Sequence, residues 1–240
     1  MKKITLLLSS IFTLSTLFIS SASARGSGYF VDLSLNRVSL TNKVNVSATI
    51  TDGSNDTTIS QPNFNIKNNN LGSASLKLGY KYSNIANSKL FISNSIYYDY
   101  INNKSASADN MKFYINNRMG IDVSLGYDIT SKLSSYVSVG FADVGYSVDA
   151  NSLSNSFSTQ NGNNICCSAL GYEKYSNRSS SQTSGFGARY DLSDDIGLLL
   201  EYSRQKITLS SEHPSLLGGV MNTNSRSKIE VIRFGISKAI

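Results

Sequence analysis

Along most of the chain, apolar and polar residues alternate with a period of two, and helical periodicity is nearly absent. The clearest run is Ile115 to Ile129. Ile115, Met119, Ile121, Val123, Leu125, Tyr127 and Ile129 hold odd positions beside Asn117, and Asn116, Arg118, Gly120, Asp122, Ser124, Gly126 and Asp128 hold the even ones. Successive side chains of a strand point to opposite faces, so an extended ribbon separates these two sets. Seven further segments follow the same rule. Tyr29, Val31, Leu33 and Leu35 alternate with Phe30, Asp32, Ser34 and Asn36, and Ala74 to Tyr82 alternate with Ser75, Lys77, Gly79 and Lys81. Leu90, Ile92, Ile96, Tyr98 and Tyr100 oppose Lys89, Ser93, Ser95 and Asp99; Val137, Val139 and Phe141 oppose Ser138, Gly140 and Ala142. Phe186, Ala188 and Tyr190 oppose Gly187, Arg189 and Asp191; Ile196 to Tyr202 oppose Gly197 and Glu201; Ile232, Phe234 and Ile236 oppose Arg233, Gly235 and Ser237. The pattern predicts an all-β chain of eight strands.

The predicted connections alternate in length. Polar stretches at 41–70, 102–112, 150–182 and 210–226 are separated by the short segments 83–88, 130–132 and 193–195. This order is expected when every second connection lies on one side of a membrane, with short periplasmic turns and longer extracellular loops. Tyr29, Tyr80, Tyr82, Tyr127 and Tyr190 fall near the short-turn ends of their strands, and Tyr98, Tyr100 and Tyr202 near the others. Two interfacial belts of amphipathic rings would place them so.

The first residues agree with export. Met1-Lys2-Lys3 precedes a mostly apolar run from Ile4 to Ile19 and the small-residue exit Ala22-Ser23-Ala24. That layout predicts a signal peptide over 1–24 and a barrel domain over 25–240. Ser and Thr interrupt the run, which is too short for a spanning helix, and no other apolar run approaches spanning length.

Composition decides which face is outside. Charged residues are only 16% of the chain, against about 25–35% on a typical soluble surface. If the apolar faces pointed inward, the exterior would be mostly Gly and Ser, and eight apolar faces would crowd a barrel with room for little more than side chains. The apolar faces are therefore expected to meet hydrocarbon, with outer-membrane lipid and lipopolysaccharide as surroundings. Unpaired backbone groups cost several kcal/mol there, so the sheet must close into an eight-stranded antiparallel up-and-down transmembrane β-barrel. Lys77, Lys81, Lys89, Asp99, Arg118, Asp122, Asp128, Arg189, Asp191, Glu201 and Arg233 are then expected inside, as ion pairs rather than a conduction path. With 22 basic and 16 acidic residues and no basic block, nucleic acid is not an expected partner.

Candidate chemistry is sparse. His213, the single histidine, stands in Ser211-Glu212-His213-Pro214-Ser215, where Pro214 argues against a regular strand. Without a second histidine, most metal schemes fail. Cys166 and Cys167 are adjacent, which leaves a strained vicinal disulfide, pairing with another chain, or two thiols. There is no phosphate loop, nucleotide fingerprint or pair of catalytic carboxylates, so no cofactor is expected. Function is expected in the Ser- and Asn-rich loops, by binding or by shielding.

With its leader, eight strands and loop order, the chain resembles the opacity-protein and surface-antigen group of small outer-membrane barrels. The resemblance covers residues 25–240 and rests on layout, together with the terminal Arg233-Phe234-Gly235-Ile236-Ser237-Lys238-Ala239-Ile240. Arg233, Gly235 and Ile240 match that group's C-terminal assembly signal, whereas Lys238 replaces a usual aromatic and the chain ends in Ile rather than Phe. The resemblance implies a non-enzymatic structural or adhesin- and antigen-like role, contact with host or extracellular molecules through the loops, and recognition by the barrel-assembly machinery. Two alternatives stay open. One is a small pore. The other is a lipid-modifying enzyme resembling lipid A deacylases, which place His and Ser two residues apart as His213 and Ser215 are, with Glu212 or Glu230 to orient the imidazole.

Overall fold

The computed structural model describes residues 26–52, 55–85, 88–102, 106–108, 111–149, 157–158, 164–165, 174–214 and 220–240. Eight long strands follow one another: β1 (Gly28–Asp52), β2 (Asn55–Tyr82), β3 (Leu90–Ile101), β4 (Met111–Asp128), β5 (Leu133–Asp149), β6 (Lys174–Asp191), β7 (Ile196–Pro214) and β8 (Val220–Ala239). Each pairs antiparallel with its neighbour in sequence, and β1 pairs with β8 from Phe30↔Ala239 to Thr49↔Val220. The sheet is thereby closed, and the barrel's backbone donors and acceptors are spent on one another.

Two of the three short connections are tight turns. Thr130 N–H donates to the Leu133 carbonyl at 3.1 Å, and Leu192 N–H to that of Ile196 at 2.8 Å. The third contains Asn84 at a φ of 60°, a left-handed position that Asn tolerates well.

Outside the barrel, the expected apolar faces form one continuous band. Leu33, Leu35, Ile121, Val123, Leu125, Val137, Val139, Phe141, Phe186, Leu200, Phe234 and Ile236 are all exposed. Along β4 and the residue that follows it, the band runs from Met119 to Ile129. Ten steps of about 3.3 Å, tilted by about 40°, cover about 25 Å, the height of a barrel's lipid-facing zone. Tyr29, Tyr80 and Tyr82 pack edge to face at the short-turn end, with centroids 4.8 and 4.5 Å apart. Tyr98 and Tyr100 stand exposed at the other end.

The connections expected as long loops are largely ladder. Residues 41–70 form a hairpin paired as far as Asp52↔Asn55, apart from two bulges, and the segment 210–226 is paired up to Pro214↔Val220. Within 102–112, Ala106–Ala108 pairs with β4; within 150–182, β6 already begins at Lys174, and Phe157–Ser158 pairs with Asn164–Ile165. Pro214 is the last residue of its strand rather than a break in it, a place where its missing N–H is tolerated.

Above the apolar band the wall divides. The last β2–β3 pair is Ser73↔Ile101 and the last β6–β7 pair is Gln205↔Thr183. Beyond these seams, β2-β1-β8-β7 form one sheet and β4-β5-β6 another. Their inner faces carry Val38, Leu40, Leu71, Phe113, Ile115, Val144, Tyr146, Ile207, Ile229 and Val231, each no more than 2% exposed. Phe113 and Tyr146 stack at 5.8 Å. The upper part is thus built like a sandwich of two sheets over an apolar core.

Candidate functional site

Within the band, the lumen holds a charge network drawn from β2, β3, β4, β7 and β8. Asp99 accepts from Arg118 Nε at 2.8 Å and from Arg233 Nη2 at 3.0 Å. Arg233 also binds Glu201, whose other oxygen receives Lys77 Nζ at 2.6 Å and the Tyr136 hydroxyl at 2.9 Å. Lys77 lies 3.8 Å from Asp122, which accepts from Thr183 at 3.2 Å. Three cations therefore meet three carboxylates. The Tyr97 ring lies under Arg118 and Arg233, 5.2 and 5.1 Å from its centroid.

Four inner glycines make room for inner aromatics directly across the ladder: Phe30 over Gly79, Phe91 over Gly126, Tyr97 over Gly120 and Tyr136 over Gly187. A Cβ on Gly120 would meet the Tyr97 ring at 2.8 Å. Cross-strand packing of an aromatic on glycine pins the register of a barrel.

Nearer the short-turn end, Lys81 and Asp128 are 3.5 Å apart and Arg189 and Asp191 are 2.9 Å apart. Between these pairs and the central network lies a cavity of about 50 Å³, with Asp32, Lys77, Lys81, Phe91, Tyr136 and Arg189 among its walls. At about 10–15 Å³ per water, it has room for a few waters and no organic substrate. Upward, the apolar core follows directly.

Ten of the eleven charges expected inside do lie there. Lys89 does not: it precedes the first residue of β3, and its side chain is exposed at the turn. Arg233, matched above to an assembly signal, is 2% exposed at the centre of the network, so its place in the fold is explained by charge pairing. His213 stands opposite Met221 near the end of β7, and Ser215 lies outside the described residues. Glu230 is nine residues from Met221 along β8, or about 30 Å, and is bound by Lys228 at 2.7 Å and Tyr202 at 2.6 Å. It cannot orient the His213 imidazole. Cys166 and Cys167 also lie outside the described residues.

The outer surface above the band is not marked by the apolar alternation that gives the eight strands. There the two walls differ. On β4-β5-β6, Arg178 is bound to Asp143 and donates to Asn117 at 3.1 Å, so charge is matched. On β2-β1-β8-β7, Lys43, Lys67, Arg204, Lys206, Arg226 and Lys228 face outward, with Glu230 the one carboxylate beside them among the described side chains. The signal was available in the sequence. Val38 and Leu40 alternate with Arg37, Ser39 and Thr41, in the opposite phase to Leu33 and Leu35.

Solved structures to which the chain is similar include Ail, the attachment invasion locus protein of Yersinia pestis, at 10% identity and a TM-score of 0.38, covering 82% of this chain and 98% of that one. Neisserial surface protein A is 13% identical, with a TM-score of 0.40 and coverage of 90% and 99%. OprG from Pseudomonas aeruginosa is 11% identical, with a TM-score of 0.43 and coverage of 90% and 97%. No curated protein matches the chain. The model of the outer membrane protein beta-barrel domain matches residues 9–226, most of the sequence, and the chain belongs to that family of outer-membrane barrels.

Proposed function

We propose that this outer-membrane barrel is a non-conducting, non-enzymatic surface protein that holds a stiff, two-sheeted projection outside the cell for contact with extracellular or host molecules. The observation that carries the reading is the apolar core between the two upper sheets, with Val38, Leu40, Phe113, Val144 and Ile229 at 2% exposure or less. A pore would need that space wet. A chain that only sealed a barrel would need no ordered ladder beyond the band, whereas recognition surfaces on a rigid scaffold do. Removal of a signal peptide over 1–24 and delivery through the assembly machinery belong to this reading.

The test has two arms. Purified protein in planar bilayers is expected to stay silent at high load, and discrete conductance steps would replace this reading with a pore. Cells displaying the full chain are expected to adhere to extracellular matrix or host cells better than cells whose chain has residues 150–173 and 215–219 replaced by short Gly-Ser turns. Equal adherence removes the contact role.

A further inference from the structure

We propose that the outer face of β2-β1-β8-β7, just above the apolar band, is a binding site for a phosphorylated glycolipid of the outer leaflet. The site is built by register. On β8 the outward residues rise as Phe234, Ile232, Glu230, Lys228 and Arg226; beside them β7 presents Tyr202, Arg204, Lys206 and Thr208, and β1 presents Leu35, Arg37, Ser39, Thr41 and Lys43. On β7 (Tyr202 to Arg204) and β1 (Leu35 to Arg37) the change from apolar to cationic takes one outward step, about 7 Å along a strand, and on β8 Glu230 stands between Ile232 and Lys228. The cations therefore begin at the height where acyl chains end and headgroups start.

Four of these cations face like charges directly, in two pairs. Lys206 is the register partner of Lys228, and Lys43 that of Arg226. Side chains so placed have Cβ atoms about 4.5–5.5 Å apart, and like charges there are destabilising. Lys67, opposite Thr41, adds charge to the same surface. Glu230 offsets only part of it: the carboxylate is engaged by Lys228 at 2.7 Å and by the Tyr202 hydroxyl at 2.6 Å. Arg204 Nε is buried without a hydrogen-bond partner among the described residues. A phosphate seated between the strands relieves both like-charge pairs and accepts from several donors at once.

The lipid, rather than a soluble polyanion, follows from continuity. The cationic rows are the direct upward extension of the Leu35–Phe234 and Tyr202–Ile232 rows. A molecule carrying acyl chains below and phosphate above satisfies both surfaces in one pose, and a soluble polyanion uses only the upper one. Among the described side chains of the opposite wall, the outward cation Arg178 is already paired with Asp143.

The experiment uses the full chain folded in detergent micelles and native mass spectrometry, with diphosphoryl lipid A and its dephosphorylated counterpart as probes. Wild type is expected to retain the diphosphoryl form preferentially. The K206Q/R226Q/K228Q variant is expected to lose about a hundredfold in that affinity, at roughly fivefold per cation, while R178Q keeps it. The heat-modifiable gel shift of folded barrels reports folding. Should the triple variant misfold, K43Q/R226Q removes the other like-charge pair and is expected to lose about 30-fold. Three results overturn the proposal: no preference of wild type for the phosphorylated lipid, unchanged retention by folded variants, or capture of a sulfated polysaccharide through these residues with no retention of lipid A.

Discussion

The lower and upper halves of the barrel are made from the same strands and obey opposite rules. Around Asp99 and Glu201 the inside is ionic and the outside greasy; four to six residues further along, around Leu40 and Ile229, the inside is greasy and the outside cationic or hydroxylated. β1 shows the change most simply, with Leu33 and Leu35 outward and Val38 and Leu40 inward. The strand's alternation and its pairing with β8 run on unbroken there, past a bulge in its ladder with β2. The solvent changes: hydrocarbon surrounds the lower half and water the upper, so apolar side chains leave whichever face is wet. A membrane barrel and a small soluble sandwich are thus joined end to end in one continuous ladder.

The strongest way to break the contrast is to unbalance the lower interior. Asp99→Ala leaves Arg118 and Arg233 without their shared carboxylate, an uncompensated buried charge that costs about 3–5 kcal/mol. Urea unfolding in lipid vesicles is expected to show that loss; a change under about 1 kcal/mol would mean that the lumen is well hydrated. In the upper half the corresponding test is a cavity. Leu40→Ala is expected to cost about 2–5 kcal/mol, as in a soluble core, and a neutral result would show that the two sheets are not packed together.

Arginine on the outer face distinguishes the two solvents. Val123→Arg, near the middle of the band, is expected to cost about 2–4 kcal/mol, whereas Asn224→Arg, exposed above it and opposite the neutral Asn45 and Ser210, should fall within about 0.5 kcal/mol of wild type. Equal costs would place the membrane boundary elsewhere. The smallest effect belongs to the exposed wall: Arg178→Ala removes an ion pair whose side chains are 46% and 31% exposed and should change stability by about 0–1 kcal/mol.

The lower half was legible in the sequence because one phase of alternation runs through all eight strands, and because three turns are short enough to fix their ends. The upper half was not. Its strands keep period two, as Leu40, Val44 and Val46 against Lys43 and Asn45 attest, but the phase is reversed, and a stretch rich in Asn and Ser then reads as loop. Lys89 was misplaced because alternation gives a face and not the residue at which a ladder begins. Tyr97, Phe91 and Phe30 sit inside because each covers a glycine on the adjacent strand. Such pairing depends on register, which a single strand's pattern does not contain. The basic wall was hidden for the same reason, since Lys206 and Lys228, or Lys43 and Arg226, are neighbours only across strands.

The reversal itself is open to direct measurement by single-cysteine scanning of residues 33–43 in a Cys166→Ser, Cys167→Ser background, using a membrane-impermeant maleimide on intact cells. Residues 33 and 35 should resist the reagent in lipid, 38, 40 and 42 should resist it inside the core, and 37, 41 and 43 should react. Reaction along the whole stretch from 37 to 43 would mean a mobile loop in place of the ladder, and reaction at 38 and 40 with protection at 37 and 41 would mean that the strand keeps its lower phase and the upper core does not exist.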